Sequence, residues 1–415
     1  MKILICSANF APEPTGIGKY SGEMAAWLAA NGHEVRVVAA PPYYPAWRVD
    51  PAYRWPLWRH ETWQGVRVWR APLWVPRQPG GLKRVLHLAT FALSSLPVML
   101  RQAAWRPEVV LTVAPALVCA PAGWLTARLC GARAWLHIQD FEVDVALQMG
   151  LLKGPGLARL ALALESWLLR RFDGVSTISR RMRERLQRKG VPEARTALFV
   201  NWADVQGVRP LAGPSPYRAE LGLADGVRVA LFSGTLGAKQ GLSVIPEAAR
   251  LMAHRHDLLF LVCGHGPLQA ELQAAARELP NLRLLPLQPL ERLGDLLGLA
   301  DVHLLPQSLE AEDLVLPSKL TGMLASGRPV LATCRADTEL GDVVGQCGRV
   351  VAPGDAPALV AALNELLDNA PLRAVLGERA RAYAERHLAR DAVLGQLVER
   401  LSGREANAKA DATAH

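Results

Sequence analysis

Short apolar runs of strand length alternate with helical stretches along this chain, stop once, and begin again. In the first half the runs cover 2–8, 34–40, 109–113, 134–138, 174–178 and 197–200, and helical periodicity covers 20–31, 157–171 and 180–189. Asn31-Gly32 closes the first of these helices, and Ser179 stands where the last needs an N-cap. A Pro/Gly-rich stretch follows at 208–216. The pattern then restarts, with strands over 229–233, 258–263, 282–285, 302–305 and 330–333 and helices over 244–253, 268–278 and 290–298. Apolar strands separated by helices pair as a parallel sheet covered on both faces, so two such series predict two doubly wound α/β domains. Ligands of such sheets bind beyond the carboxyl ends of the strands, which places the expected site in a cleft between the domains. No repeat of solenoid length is present.

A chain of 415 residues is too long for one compact core. Half of its residues are hydrophobic and a fifth charged, which excludes a disordered chain. The six cysteines show no CxxC spacing and sit mostly in apolar runs, as buried thiols of a reducing compartment do. No His, Cys, Asp or Glu cluster has metal-ligand spacing, so no metal or other cofactor is expected. The apolar part of MKILICSANF is too short for an export signal and reads as a first strand, giving an expected cytoplasmic location.

The net charge of +9 is concentrated. Residues 43–106 hold ten Arg or Lys against Asp50 and Glu61, together with seven of the twelve tryptophans. Cations interleaved with Trp suit the headgroup level of an anionic bilayer, so peripheral attachment to the inner face of the plasma membrane is expected. An ordinary solvated surface is the other reading of the same residues. The run 82–100 is interrupted by Lys83, Arg84, His87 and Pro97, too often for a spanning helix, and reads as an interfacial or core helix. Zinc spacing, RNP-like patterns and basic heptads are missing, which argues against nucleic acid as a partner.

Glycine-rich turns follow three strands. The first holds Gly16, Ile17 and Gly18; it is not a dinucleotide fingerprint, because the turn is long and the second strand ends without an acidic residue. The second, 233–241, carries Gly234, Thr235 and Lys239 and could cradle phosphate, although the Walker A order is missing. The third is Gly264-His265-Gly266, where His265 reads as a turn residue. A fourth connection, after 302–305, contains Glu310, Glu312 and Asp313, then Pro317, Ser318 and Lys319 before a helix. Amides at a helix start and a lysine favour an anion, and carboxylates accept from sugar hydroxyls.

These motifs, with 201–204 (NWAD), Ala300-Asp301-Val302, Pro306 and 325–330 (ASGRPV), resemble in order and spacing the GT-B glycosyltransferases of family 4 over essentially the whole chain. Gln139-Asp140, Lys239-Gln240-Gly241 and 316–320 (LPSKL) resemble the bacterial exopolysaccharide, colanic-acid-like branch. The resemblance implies a GT-B fold: an acceptor-side Rossmann-like domain over 1–208 with the basic insert at about 43–106, a nucleotide-sugar domain over 209–384, a helix over 385–403 that crosses back, and a disordered tail over 404–415. It implies retaining transfer from a GDP- or UDP-linked sugar to a polyprenyl-diphosphate-linked acceptor, without a metal. Lys239 corresponds to the lysine that contacts the donor diphosphate, Thr235 stands where relatives carry arginine, and Lys319 is expected to supply the missing charge. Gly16 and Gly18 face the donor phosphates and acceptor, Gly234, Gly264, Gly266, Pro317 and Ser318 surround the donor, and Asp140 is a polar residue of the cleft. Relatives carry paired glutamates where this chain has Leu314 and Gly322; Glu312 and Asp313 are the acids that remain for catalysis. An epimerase of the same architecture and a non-catalytic nucleotide-sugar or membrane-binding protein are the alternatives.

Overall fold

The computed structural model describes residues 1–14, 16–77, 80–113, 116–148, 154–237, 240–308 and 316–403. The chain forms two compact units: Met1–Val200 joined by the segment from Leu394 onward, and Asn201–Val393. The tail over 404–415 lies outside the described residues.

In the first unit the strands are β1 (Lys2–Ser7), β2 (Glu34–Ala39), β3 (Arg59–Trp63), β4 (Val66–Arg70), β5 (Val109–Val113), β6 (Arg133–Ile138), β7 (Gly174–Thr177) and β8 (Thr196–Leu198). Its helices are α1 (Gly16–Ala30), α2 (Gly81–Gln102), α3 (Ala116–Cys130), α4 (Glu142–Gln148), α5 (Pro155–Leu169) and α6 (Arg180–Arg188). The sheet order is β3-β4-β2-β1-β5-β6-β7-β8, parallel except for the β3–β4 pair. Ile3 of β1 pairs with Val35 on one side and Val109 on the other, so the order reverses between β1 and β5. All five residues of β5 are buried, as a central strand with both faces covered requires. Ser179 Oγ accepts from Met182 N at 3.1 Å and caps α6.

The second unit carries α7 (Tyr217–Glu220), β9 (Arg228–Ser233), α8 (Val244–Leu251), β10 (Leu258–Cys263), α9 (Gln269–Glu278), β11 (Leu282–Leu285), α10 (Leu293–Gly298) and β12 (Val302–Pro306). It continues through α11 (Lys319–Ala325), β13 (Val330–Thr333), α12 (Glu339–Cys347), β14 (Gly348–Val351), α13 (Ala356–Asp368) and α14 (Ala370–His387). A last helix, α15 (Arg390–Ser402), begins in this unit and ends in the first. The six strands are parallel in the order β11-β10-β9-β12-β13-β14, the Rossmann order, with reversal between β9 and β12. The units divide at Val200, ahead of the Pro/Gly-rich stretch expected to separate them. Arg381 explains this: its guanidinium donates to the carbonyls of Val205 and Val208 at 2.8 Å each, tying 201–208 to the second unit.

Three further differences from the sequence reading matter. The first helix begins at Gly16, not near residue 20, so Gly16 and Gly18 lie in its first turn. Inside the basic window β3 and β4 form a hairpin whose turn residues, Gln64 and Gly65, have φ of 43° and 81°, as a type I′ turn needs. Much of the tryptophan in that window is packed rather than presented: Trp47, Trp69 and Trp105 lie against the core, and Arg36 stacks over Trp105 at 4.2 Å. Trp55, Trp58 and Trp74 remain exposed. α2 is a single 22-residue helix lined on one side by His87, Leu88, Phe91 and Met99 of the core, and no helix among the described residues is long and apolar enough to cross a membrane.

Candidate active site

In the second unit the glycine turns after β9 and β10 lock together. Gly234 N donates to Cys263 O at 2.9 Å, Leu236 N to His265 O at 3.0 Å, and Leu268 N to Leu236 O at 3.0 Å. The approach is too close for side chains: a Cβ on Gly264 would sit 1.9 Å from Gly234 O, and one on Gly266 2.5 Å from Leu236 O. Gly241, with φ of +61°, brings the end of the first turn onto the residues after β12, where a Cβ would meet the Gln307 carbonyl at 2.6 Å. The connections after β9 and β12 thus meet at the point where strand order reverses, the position at which such sheets bind ligands.

Lys319 occupies that point. It is the first residue of α11, and its chain folds back beneath the turn, with Nζ 3.3 Å from where a Cβ of Gly234 would stand. Nζ donates to the side-chain carbonyl of Gln240 and lies 4.3 Å from the Phe232 ring centroid. Among the described residues it forms no ion pair. Burial lowers its pKa from 10.5 to about 7, since a charge without a carboxylate partner is costly out of water. α11 has only seven residues, so the lysine, not the helix terminus, makes this place cationic. Thr235 is exposed on the same turn, Pro317 is half-buried and Ser318 exposed beside Lys319, and the hydroxyl of Ser318 does not cap α11. Gly322 lies within α11, where a Cβ would press Leu297 at 3.1 Å.

The first unit holds a cavity of about 210 Å³ at the carboxyl end of β1 and β6. Gly16 and Ile17 of α1 form one side, and Asp140, on the turn after β6, and Glu142, the first residue of α4, form another. The aromatic wall is Tyr43, Tyr44 and Trp47. Glu13 holds that wall in place. Its Oε1 accepts from Tyr43 N at 3.1 Å and Tyr44 N at 3.0 Å, and its Oε2 from Asn9 Nδ2 at 2.9 Å. Gly18 is required beneath it, because a Cβ there would lie 2.5 Å from Glu13 Oε2. Desolvation raises the Glu13 pKa against the opposing pull of those hydrogen bonds and of Arg70. Burial likewise raises Glu142 to about 7, with Asp140 and Glu165 adding to the shift and Arg84 opposing it.

Of the residues singled out in the sequence, Gly234, Thr235, Gly264, Gly266, Pro317, Ser318 and Lys319 converge in the second unit, and Gly16, Gly18 and Asp140 around or beneath the cavity of the first. Lys239, Glu310, Glu312, Asp313 and Leu314 lie outside the described residues. Sequence reasoning passed over Glu13, Glu142 and Gln240 as partners, and counted Arg84 and His87 only as interruptions of an apolar helix; a polar pair one turn apart at the start of an otherwise apolar α2 was the available signal. Among the described residues no group of three His, Cys, Asp or Glu could hold a metal ion, and all six cysteines are free.

Comparison with known proteins agrees with this arrangement. Residues 15–202 match the family described as a glycosyl transferase 4-like domain, and residues 227–369 match the glycosyl transferases group 1. A protein of Escherichia coli (strain K12) named as the colanic acid biosynthesis glycosyl transferase WcaI is 43% identical over 97% of this chain and all of its own. Among solved structures, sucrose-phosphate synthase from Thermosynechococcus elongatus superimposes with a TM-score of 0.74 at 20% identity, covering 98% of this chain and 99% of the other. HepE of Anabaena, in complex with UDP and glucose, gives 0.68 at 16% identity, covering 97% and 100%. Two Rossmann-like units, matches to both family domains and identity along the full length place this chain among the GT-B glycosyltransferases of family 4, and it is a glycosyltransferase.

Proposed function

We propose that the protein moves a sugar, with retention, from a GDP- or UDP-linked donor to a polyprenyl-diphosphate-linked oligosaccharide in the assembly of a colanic-acid-like exopolysaccharide. The observation that carries this reading is Lys319: a desolvated ammonium without a carboxylate partner among the described residues, beneath a glycine turn at the strand-order reversal. A nucleoside diphosphate supplies the counter-charge that such a group lacks. The relative named for colanic acid synthesis supports the pathway, and the HepE complex with UDP supports the donor class.

In the proposed reaction an acceptor hydroxyl oxygen bonds to the anomeric carbon as the bond from that carbon to the diphosphate oxygen breaks. The hydroxyl proton passes to the departing phosphate oxygen on the same face, and nucleoside diphosphate leaves. Lys319 and Lys239 neutralise the charge that grows on the leaving group, with the amides of Thr235 and Gly266 nearby while those of Gly234 and Gly264 hold the turns together through Cys263 O and Leu285 O, and no metal is needed. Asp140 orients acceptor hydroxyls, Glu312 and Asp313 hold the donor sugar, and Pro317 and Ser318 border it. Such positioning of two substrates supplies much of the rate.

The acceptor reading carries a cytoplasmic, peripheral membrane location with it. One face of α5 supports this beyond Trp55, Trp58 and Trp74: Leu157, Leu160, Leu164 and Trp167 are exposed along a single stripe. Arg171 stacks on Trp167 at 4.7 Å, and Arg159 and Arg170 flank the stripe. Leucines and a tryptophan edged by arginines suit an anionic bilayer surface. The test of the donor site is the Lys239→Ala, Lys319→Ala double variant, expected to lose at least a hundredfold in transfer; undiminished transfer overturns the assignment.

A further inference from the structure

At the amino ends of its parallel strands, opposite to the cavity, the first unit gathers arginines for which the described residues supply no ion-pair partner. Arg36 of β2 and Arg67 of β4 stand in register on adjacent strands, and like charges so placed repel. The Arg36 guanidinium packs over two indoles, 5.3 Å from the Trp69 ring centroid and 4.2 Å from that of Trp105. Both indoles are half-buried against the core, so they hold the guanidinium plane and leave its donor edge for hydrogen bonding. Nη1 donates to Oε1 of Gln102, the last residue of α2, at 2.9 Å, and Gln102 is 3% exposed. The other side-chain nitrogens of Arg36 have no partner among the described residues, and none of them is sealed from solvent. Burial lowers the Arg36 pKa, with Arg67 adding to the shift and Glu34 opposing it, yet a guanidinium stays charged at physiological pH.

Arg36 lines an open hollow of about 460 Å³ together with Trp69, Arg101, Gln102, Ala104 and Trp105. The lining holds no carboxylate. Arg101 is exposed in the last turn of α2, and its guanidinium makes no hydrogen bond or ion pair among the described residues. An adjoining hollow of about 420 Å³ shares Arg36 and Trp105 and adds Arg67, His33 and Glu34. A cation in the last turn of α2 suits the helix dipole, which accounts for Arg101 but not for Arg36 and Arg67 side by side. An anion supplies what the cluster lacks. Arginine forks bind carboxylate and phosphate through paired hydrogen bonds. A carboxylate is saturated by one fork, whereas the several oxygens of a phosphate can take donors from β2 and α2 together. The volume leaves room for an organic remainder, since sites for small organic ligands span ~300–1,000 Å³.

The geometry points to this hollow as a binding site for a phosphate-bearing ligand, with Arg36 and Arg101 holding the anion and Trp69 and Trp105 orienting Arg36. The proposed reaction uses the carboxyl ends of the strands, so this second site takes no part in bond making and stands whether or not that reading holds. A soluble phosphate compound and the headgroup of an anionic phospholipid share this chemistry, and the test separates them.

The test is NMR of the full-length protein, following the indole N–H signals of Trp69 and Trp105 and the Nε–H signal of Arg36. The titrants are sodium diphosphate, glycerophosphoglycerol, and sodium chloride at matched ionic strength. The phosphate compounds are expected to move these signals saturably, and chloride is not. Tighter binding of diphosphate assigns a soluble ligand. Tighter binding of glycerophosphoglycerol, with the same signals broadened by phosphatidylglycerol but not phosphatidylcholine vesicles, assigns the headgroup. Arg36→Gln and, separately, Arg101→Gln are each expected to weaken the tighter compound about tenfold, the worth of one charge-assisted hydrogen bond. Arg101 is exposed, so its variant decides should Arg36→Gln fold poorly. Lys319→Met, which removes the buried cation of the second unit, is expected to leave this binding unchanged and so separates it from any donor phosphate. The site is overturned if chloride moves the signals as far as phosphate does, if they ignore both phosphate compounds, or if affinity survives Arg101→Gln.

Discussion

Replacing Lys319 by methionine should stabilise the protein while abolishing donor binding. The folded pKa of about 7 against 10.5 for a free lysine sets the magnitude. At about 1.36 kcal/mol per pH unit, the desolvation that depresses it costs on the order of 4 kcal/mol at pH 7. The sign follows from proton binding. Between about pH 7 and 10.5 the unfolded chain holds a proton that the folded chain has released, so wild-type stability rises with pH across that window. Below pH 7 both states are charged and the full cost remains. Methionine removes the charge, keeps the length, and places sulfur by Phe232; it forfeits the Gln240 hydrogen bond, worth about 1 kcal/mol. The net gain expected at pH 7 is about 2–4 kcal/mol, or roughly 5–15 °C in the melting of the second unit. Calorimetry at pH 7 and pH 10.5 is the assay, and the gain should vanish at the higher value. The same desolvation ties donor binding to pH, because a bound diphosphate raises the lysine pKa and the complex takes up a proton. UDP or GDP affinity should therefore weaken by up to tenfold per unit above pH 7. A variant no more stable than wild type at pH 7, or a gain unchanged at pH 10.5, would refute the reasoning.

Other perturbations have equally definite outcomes. Gly18→Ala puts a Cβ 2.5 Å from Glu13 Oε2 and should dislodge the 43–47 segment; acceptor KM rises and the first unit melts several degrees lower, both readable in one thermal and kinetic series. Arg70 is 1% exposed, bridges Glu61 at 2.6 Å and donates to Ala40 O and Ala11 O. Arg70→Met should therefore cost about 3–5 kcal/mol in urea unfolding of the first unit, the penalty for breaking a buried pair from one side. Leu160→Glu with Leu164→Glu should reduce sedimentation with phosphatidylglycerol vesicles at least tenfold at low salt and leave the melting temperature unchanged, since both side chains are exposed.

The fold was legible because parallel strands buried on both faces must be apolar throughout. The runs at 109–113, 258–263 and 330–333 coincide with β5, β10 and β13, every residue of which is buried. The hairpin of β3 and β4 was not legible: Arg59, Glu61, Arg67 and Arg70 read as surface charge, whereas Arg70 is among the most buried side chains of the first unit. The glycine turns could be placed from the sequence, but the reason for the glycines could not, because the atoms that exclude a side chain belong to neighbouring turns and to Glu13. Lys319 was recognised as a cation near phosphate; that it is desolvated, and held by Gln240 some eighty residues earlier, is a tertiary fact. His87 illustrates the general case. One histidine in an apolar helix says little until the Trp74 carbonyl that fixes its tautomer and the rings of Tyr43 and Trp47 beside it are known.

The central claim is transfer from a nucleotide diphosphate sugar to a lipid-linked acceptor. It is tested most directly by incubating the protein with UDP- and GDP-sugars and a polyprenyl-diphosphate-linked oligosaccharide in anionic vesicles, following the lipid product by mass spectrometry and its new linkage by NMR. The account predicts one hexose-sized or deoxyhexose-sized increment from one donor, equimolar release of nucleoside diphosphate, an anomeric configuration equal to the donor's, and loss of all three in Lys319→Met. An inverted linkage would contradict the retaining mechanism, and donor turnover that is unaffected by Lys319→Met, or that yields an isomerised nucleotide sugar without any acceptor, would contradict the claim itself.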